Sequence, residues 1–189
     1  MNIYLFQKIL GTGTIILHVI LALLISYLIY TTLSKKRWKI LEEYLFNKRT
    51  CLITIFSGVS IIISLVFSEH YGVLPCTLCW VQRILIFAIT VLGIIFFVTK
   101  KNTYIYMLLL AIPGALVAAY QTMTQFQLQA TPLIECVAIP GADCAKINML
   151  EYGYITIPVM SLTLFACVVL LGIRKQKNLN NDDKRNTIE

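Results

Sequence analysis

The sequence predicts an all-α integral membrane protein, and three observations carry the prediction. Hydrophobic residues make up 58% of its 189 residues and charged residues only 13%, far from the balance of a soluble domain. Five stretches approach the roughly 20 apolar residues that a membrane-crossing helix requires: 9–33, 51–68, 80–99, 104–123 and 154–173. Each is apolar on all sides apart from isolated polar residues, whereas a helix of a soluble bundle keeps a polar face. Lipid, not water, is the solvent this pattern demands.

The first span follows a single charge, Lys8, and ends in Thr32-Leu33-Ser34-Lys35 without a small-residue cleavage site. It therefore reads as a retained helix rather than a signal peptide. His18 within it is expected to make an interhelical hydrogen bond. In the connector that follows, Trp38, Ile40, Leu41, Tyr44, Leu45 and Phe46 interleave with Lys and Glu, the pattern of a short interfacial helix or of a solvated link. The second span leads into a short loop, 69–75, that carries His70 close to Cys76 in sequence. The third span contains Arg83, and the fourth contains Pro113-Gly114, a kink signal. Gln121, Gln125, Gln127 and Gln129 descend from the fourth span into a long loop, and residues 176–189 form a polar tail expected to lack regular structure.

The net charge of +7 lies beside the ends of the spans rather than in one surface stripe, which argues against nucleic acid and for topology. Lys35, Lys36, Arg37, Lys39, Lys48 and Arg49 separate the first two spans. Lys100 and Lys101 separate the third and fourth, and Arg174, Lys175 and Lys177 follow the fifth. The positive-inside rule assigns all three clusters, and the C-terminus, to the cytoplasm. The N-terminus, the 69–75 loop and the 124–153 loop then lie outside.

That topology sorts the six cysteines. Cys51 and Cys167 fall in or beside apolar spans, where a free cysteine packs as a small hydrophobe. Cys76 and Cys79 form Cys-x-x-Cys at the outer end of the third span, and Cys136 and Cys144 flank the turn signal Pro140-Gly141 in the outer loop. All four lie on the side where disulfides persist. Leu74-Pro75 before Cys76 suits a helix N-terminus near the pair, since proline commonly sits at or just before a helix start, and free N–H groups at a helix N-terminus favour the anionic sulfur. Arg83, four residues after Cys79, is expected on the same helix face one turn deeper. A charge inside a span costs about 2.5–3.5 kcal/mol on insertion scales, so Arg83 is expected either to snorkel to the headgroups or to hold a carbonyl-bearing or anionic group. A structural staple explains the loop pair by itself; two pairs on one side beside an intramembrane arginine favour a relay.

The stretch Pro75-Cys76-Thr77-Leu78-Cys79-Trp80-Val81-Gln82-Arg83-Ile84-Leu85 resembles the signature of the DsbB family of disulfide bond formation proteins, particularly its short BdbC-like branch. Cys136 and Cys144, followed by Tyr152-Gly153-Tyr154-Ile155-Thr156-Ile157-Pro158, are similar to that branch's second pair and the start of its last helix. The resemblance spans about residues 50–175. It implies a four-helix transmembrane redox core, 50–175. The first helix and basic connector, 1–49, are one additional transmembrane element, and the tail 176–189 is cytoplasmic. It also implies a bacterial cytoplasmic-membrane enzyme, a protein-disulfide:quinone oxidoreductase. Such an enzyme reoxidises a DsbA-like thiol partner and passes the electrons to ubiquinone or menaquinone, the short branch leaning to menaquinone. Carried residue by residue, Cys136 receives the partner, Cys144 resolves and relays to Cys76, Cys79 faces the quinone, and Arg83 helps to hold it.

The sequence departs from that family in three places. The first span is extra, the loop pair is closely spaced, and Gln121 stands where many relatives carry histidine, so that it is expected to hydrogen-bond the quinone rather than donate a proton. Two rival functions remain: a membrane protein whose disulfides only brace its loops, and a four-cysteine metal site. The second is disfavoured by the oxidising location and by Arg83, and no metal is assigned. The vitamin K epoxide reductase homologues share the architecture but place the loop pair before the Cys-x-x-Cys.

Overall fold

The computed structural model describes residues 3–34, 39–99, 103–126 and 144–186. Five α-helices are present among them: α1 (Ile3–Ser34), α2 (Lys39–Leu65), α3 (Thr77–Thr99), α4 (Tyr104–Gln125) and α5 (Ile157–Asn186), with one π-helical turn, Val66–His70, continuing α2. Four segments are long and apolar enough to cross a membrane, Ile3–Tyr27, Arg49–His70, Thr77–Thr99 and Tyr104–Gln125, and a shorter apolar helix, Ile157–Leu171, accompanies them. Large apolar side chains point outward along them, including Val98 at 78% exposed, Leu116 at 67% and Ile62 at 64%. So much outward apolar surface requires a lipid environment.

Packing follows small residues. α2 packs on α3, α3 on α4, and α4 on α5, while α1 leans on α5. At the α2–α3 seam a Cβ on Gly93 would collide with the Thr54 side chain, and Thr90 Oγ1 donates to Ser57 Oγ at 2.9 Å. At the α4–α5 seam, Gly114, just after Pro113, lies so close to the Phe165 ring that a Cβ would overlap it. Such close approaches and interhelical hydroxyl bonds substitute for the hydrophobic drive that lipid does not provide. Ile86, Ile89, Met107, Ala111 and Phe165 lead the buried core between these helices. At the end away from Cys76 and Cys79, the Arg49 guanidinium lies 4.0 Å over the Tyr104 ring, a cation–π contact.

Two stretches differ from expectation. The connector does not form a separate interfacial helix: residues 39–50 are the opening turns of α2, because an α-helical backbone already hydrogen-bonded in the span extends at little cost through Lys, Leu and Glu. α5 likewise continues to Asn186, into the polar tail expected to be irregular. His18 makes the expected interhelical bond, with Nε2 2.7 Å from Thr163 Oγ1 on α5.

Candidate active site

The site begins with the way α3 starts. Pro75 has no N–H to contribute and precedes Cys76, whose carbonyl accepts the first helical bond from the Trp80 N–H at 3.0 Å. The Cys79 N–H donates to Cys76 Sγ at 3.4 Å. Cys76 therefore caps the helix with its sulfur, in the place an Asp or Ser oxygen commonly fills. The same turn brings the two sulfurs to 3.0 Å. Cys76 is only 3% exposed, and Cys79 is half-buried.

From α4, Gln121 reaches both sulfurs. Its Nε2 donates to Cys76 Sγ at 3.2 Å and to Cys79 Sγ at 3.3 Å. Its Oε1 accepts from Gln82 Nε2, on α3, at 2.7 Å. Both amides are buried, Gln121 at 1% and Gln82 at 4% exposed. Sequence reasoning singled out Gln121 but assigned no role to Gln82. The available signal was its burial in an apolar span, since a buried amide requires a partner.

Cys144 is 1% exposed and lies in a buried cluster with Cys76 and Leu78, against which Cys79, Val117 and Tyr120 pack. Cys136 lies outside the described residues. The chain after Cys144 is tied down on two sides. Gln125 Nε2 donates to the Lys146 carbonyl at 3.2 Å, and Glu151 and Ile155 pair across a tight reversal in which Tyr152 and Gly153 have φ of 53° and 77°. α1 holds that reversal: Thr12 Oγ1 lies 2.8 Å from the Tyr152 hydroxyl, and His18 Nδ1 lies 3.1 Å from the Tyr154 hydroxyl. Beside the sulfur pair opens a small cleft lined by Leu74, Cys76, Cys79, Gln121, Gln125 and Met149, among others.

Arg83 takes the other side of α3. Its Nε donates to Ser64 Oγ at 3.0 Å, its Nη2 to the Ser64 carbonyl at 3.1 Å, and its Nη1 to Ser68 Oγ at 3.5 Å. The guanidinium carbon lies 5.0 Å over the Trp80 ring. The four-residue spacing predicts Arg83 on the face of Cys79, but these bonds direct the long side chain to the end of α2 and the π-helical turn after it, where serines one turn apart compensate the charge. Cys51 and Cys167 are half-buried free thiols in α2 and α5.

Adjacent thiols at a helix start, held by neutral donors with a third, buried cysteine alongside, form an arrangement suited to disulfide exchange. Comparison with known proteins agrees. The family described as "Disulfide bond formation protein DsbB" matches residues 47–174. The chain is 32% identical over 125 residues to "Probable disulfide formation protein C 2" of Bacillus anthracis, covering 63% of this chain and 86% of that protein. It is 32% identical over 123 residues to the "SPbeta prophage-derived disulfide bond formation protein B" of Bacillus subtilis (63% and 81% covered). Against "Disulfide bond formation protein C" of Bacillus subtilis the figure is 33% over 108 residues (57% and 77% covered). No solved structure matches the chain. With its apolar helices and its family match together, the chain belongs to the DsbB family of disulfide bond formation proteins, membrane thiol–disulfide oxidoreductases.

Proposed function

We propose that the chain reoxidises a DsbA-like extracytoplasmic thiol partner and passes two electrons through Cys136/Cys144 and then Cys76/Cys79 to a membrane quinone. The observation that carries this reading is the burial of Cys144 against Cys76, which lets one pair exchange with the other. In the first step a partner thiolate attacks Cys136, forming a mixed disulfide and releasing Cys144 as a thiolate. Cys144 then attacks Cys76, and Cys79 leaves as a thiolate. The second partner thiol displaces Cys136, which attacks Cys144 and frees Cys76. The loop disulfide is restored, the partner leaves oxidised, and Cys76 and Cys79 hold the two electrons.

A quinone would supply the acceptor for those two electrons and two protons. The residues present fit such a group: a guanidinium carries five N–H donors, and three bonds to Ser64 and Ser68 leave N–H groups for a carbonyl oxygen. Trp80, 44% exposed, offers a flat face beside them, and Gln121 presents its amide to the sulfurs from α4. Ubiquinone and menaquinone both satisfy this donor set; likeness to the short branch favours menaquinone. The cysteine end faces outward across the bacterial cytoplasmic membrane and the C-terminus faces the cytoplasm, as the basic clusters require. α1, which precedes the family match at residue 47, is a fifth span added to the four-helix core.

Quinone reduction by the purified protein with a reduced DsbA-like partner tests this reading. Turnover in the wild type that is lost in Cys79→Ser and in Cys136→Ser is expected. Absence of quinone reduction in the wild type, or its survival without Cys79, overturns the reading and favours disulfides that only brace the loops.

A further inference from the structure

The amide of Gln121 faces a choice. A primary amide is nearly symmetric in shape but presents donors at one end and acceptors at the other. A thiolate only accepts, so one orientation of Gln121 stabilises charge on the Cys76–Cys79 pair and the other opposes it. Nothing in the sulfurs themselves selects the orientation while they are thiols, because an S–H can donate as well as accept. The selection comes from α3. Gln82 Nε2 lies 2.7 Å from Gln121 Oε1, so with Gln82 in this orientation, rotating Gln121 alone would set N–H groups against N–H groups at a place where both side chains are buried, 4% and 1% exposed. Buried donors without acceptors are strongly disfavoured. The bond from Gln82 also polarises the Gln121 amide, strengthening the donors at its far end.

We infer that Gln82 is a positioning residue: it locks the Gln121 amide with its N–H groups toward Cys76 and Cys79, so that a neutral pair of amides receives the negative charge released when the disulfide between them opens. This deepens the proposed function and rests on it for the site's use as a redox pair. The neighbouring Arg83 does not take this role, because its bonds go to Ser64 on α2 and Ser68 in the π-helical turn after it. Two amides merely satisfying each other would give the same contact without affecting the sulfurs, so the test reads the sulfurs.

The full-length protein, without partner or quinone, is equilibrated anaerobically in glutathione. One Cys76–Cys79 disulfide and two glutathione thiols give the dithiol and one glutathione disulfide. The pair is then trapped by alkylation and quantified on the peptide that carries both cysteines. Gln121→Leu is expected to shift the equilibrium toward the disulfide roughly tenfold or more, the range for a hydrogen bond to a charged group. Gln82→Leu and Gln82→Met should shift it the same way, roughly threefold to tenfold, and the double variant should shift it no further than Gln121→Leu alone. A Gln82 variant with the wild-type equilibrium, or effects that multiply in the double variant, overturns the inference. Should the substitutions unfold the chain, 15N-glutamine labelling of the wild type reads the same claim: the Gln121 side-chain amide resonance moves on reduction of the pair, and an unmoved resonance overturns it. Because neither partner nor quinone is present, this result is independent of the turnover assay.

Discussion

Gln82 and Arg83 are neighbours in α3, yet they serve opposite sides of it. Gln82 is buried toward α4 and joins Gln121 in holding the sulfurs, without a formal charge anywhere in that contact. Arg83 carries its charge to Ser64 of α2 and Ser68 of the π-helical turn that continues it, with the face of Trp80, on α3 itself, against the guanidinium. The Cys76–Cys79 pair and the charge of Arg83 are thus solvated by separate groups. A cation fixed beside the sulfurs would favour the thiolate permanently; neutral donors favour it while leaving the pair free to close again into a disulfide, as a relay must on every turn.

Cys79→Ser, on the side of the sulfurs, removes a reacting atom and is expected to abolish partner-dependent quinone reduction, measured by quinone absorbance. Arg83→Ala, on the other side, is expected to raise the apparent KM for quinone about tenfold, equivalent to about 1.4 kcal/mol. It should leave the thiol–disulfide equilibrium of Cys76/Cys79 within about twofold, the coupling expected of groups that share no partner; a larger shift would mean the two sides are coupled. Ser64→Ala deletes one hydroxyl acceptor while the Ser64 carbonyl remains. A rise in KM of about threefold is expected, about 0.7 kcal/mol, within the range of one hydrogen bond. His18→Ala, remote from both sides, breaks the α1 contacts with Thr163 and Tyr154. It should lower stability by about 0.6 kcal/mol, the average for an interhelical bond in a membrane protein, read as a small drop in thermal midpoint with turnover retained.

Much of this architecture was legible in the chain because lipid imposes a simple rule: a span must be apolar all round and long enough, and 51–68, 80–99 and 104–123 each meet it within a few residues of the apolar spans Arg49–His70, Thr77–Thr99 and Tyr104–Gln125. The start of α3 was legible from Leu74-Pro75. The continuation of α2 back through residues 39–50 was not, since charged residues that form helices well also suit a solvated connector. At the site, the cysteine spacing and the helix N-terminus could be read from local sequence. The partners of Arg83 could not, because a period of 3.6 fixes the direction of a Cα–Cβ bond but not the destination of a long flexible side chain. Ser64 and Ser68, one turn apart in an apolar span, were the available clue. Gln82 was harder still: its role depends on Gln121, 39 residues away in sequence, and appears only when α3 and α4 are packed together.

If Cys76 and Cys79 deliver two electrons to a quinone, as proposed, a single turnover will show it. A fully reduced Cys136→Ser protein, in which the loop pair cannot form, is mixed anaerobically with one equivalent of quinone and no partner. One quinol per protein is expected, together with a disulfide mapped to Cys76–Cys79. Failure to form quinol, or quinol formed while Cys76 and Cys79 remain thiols, would contradict it.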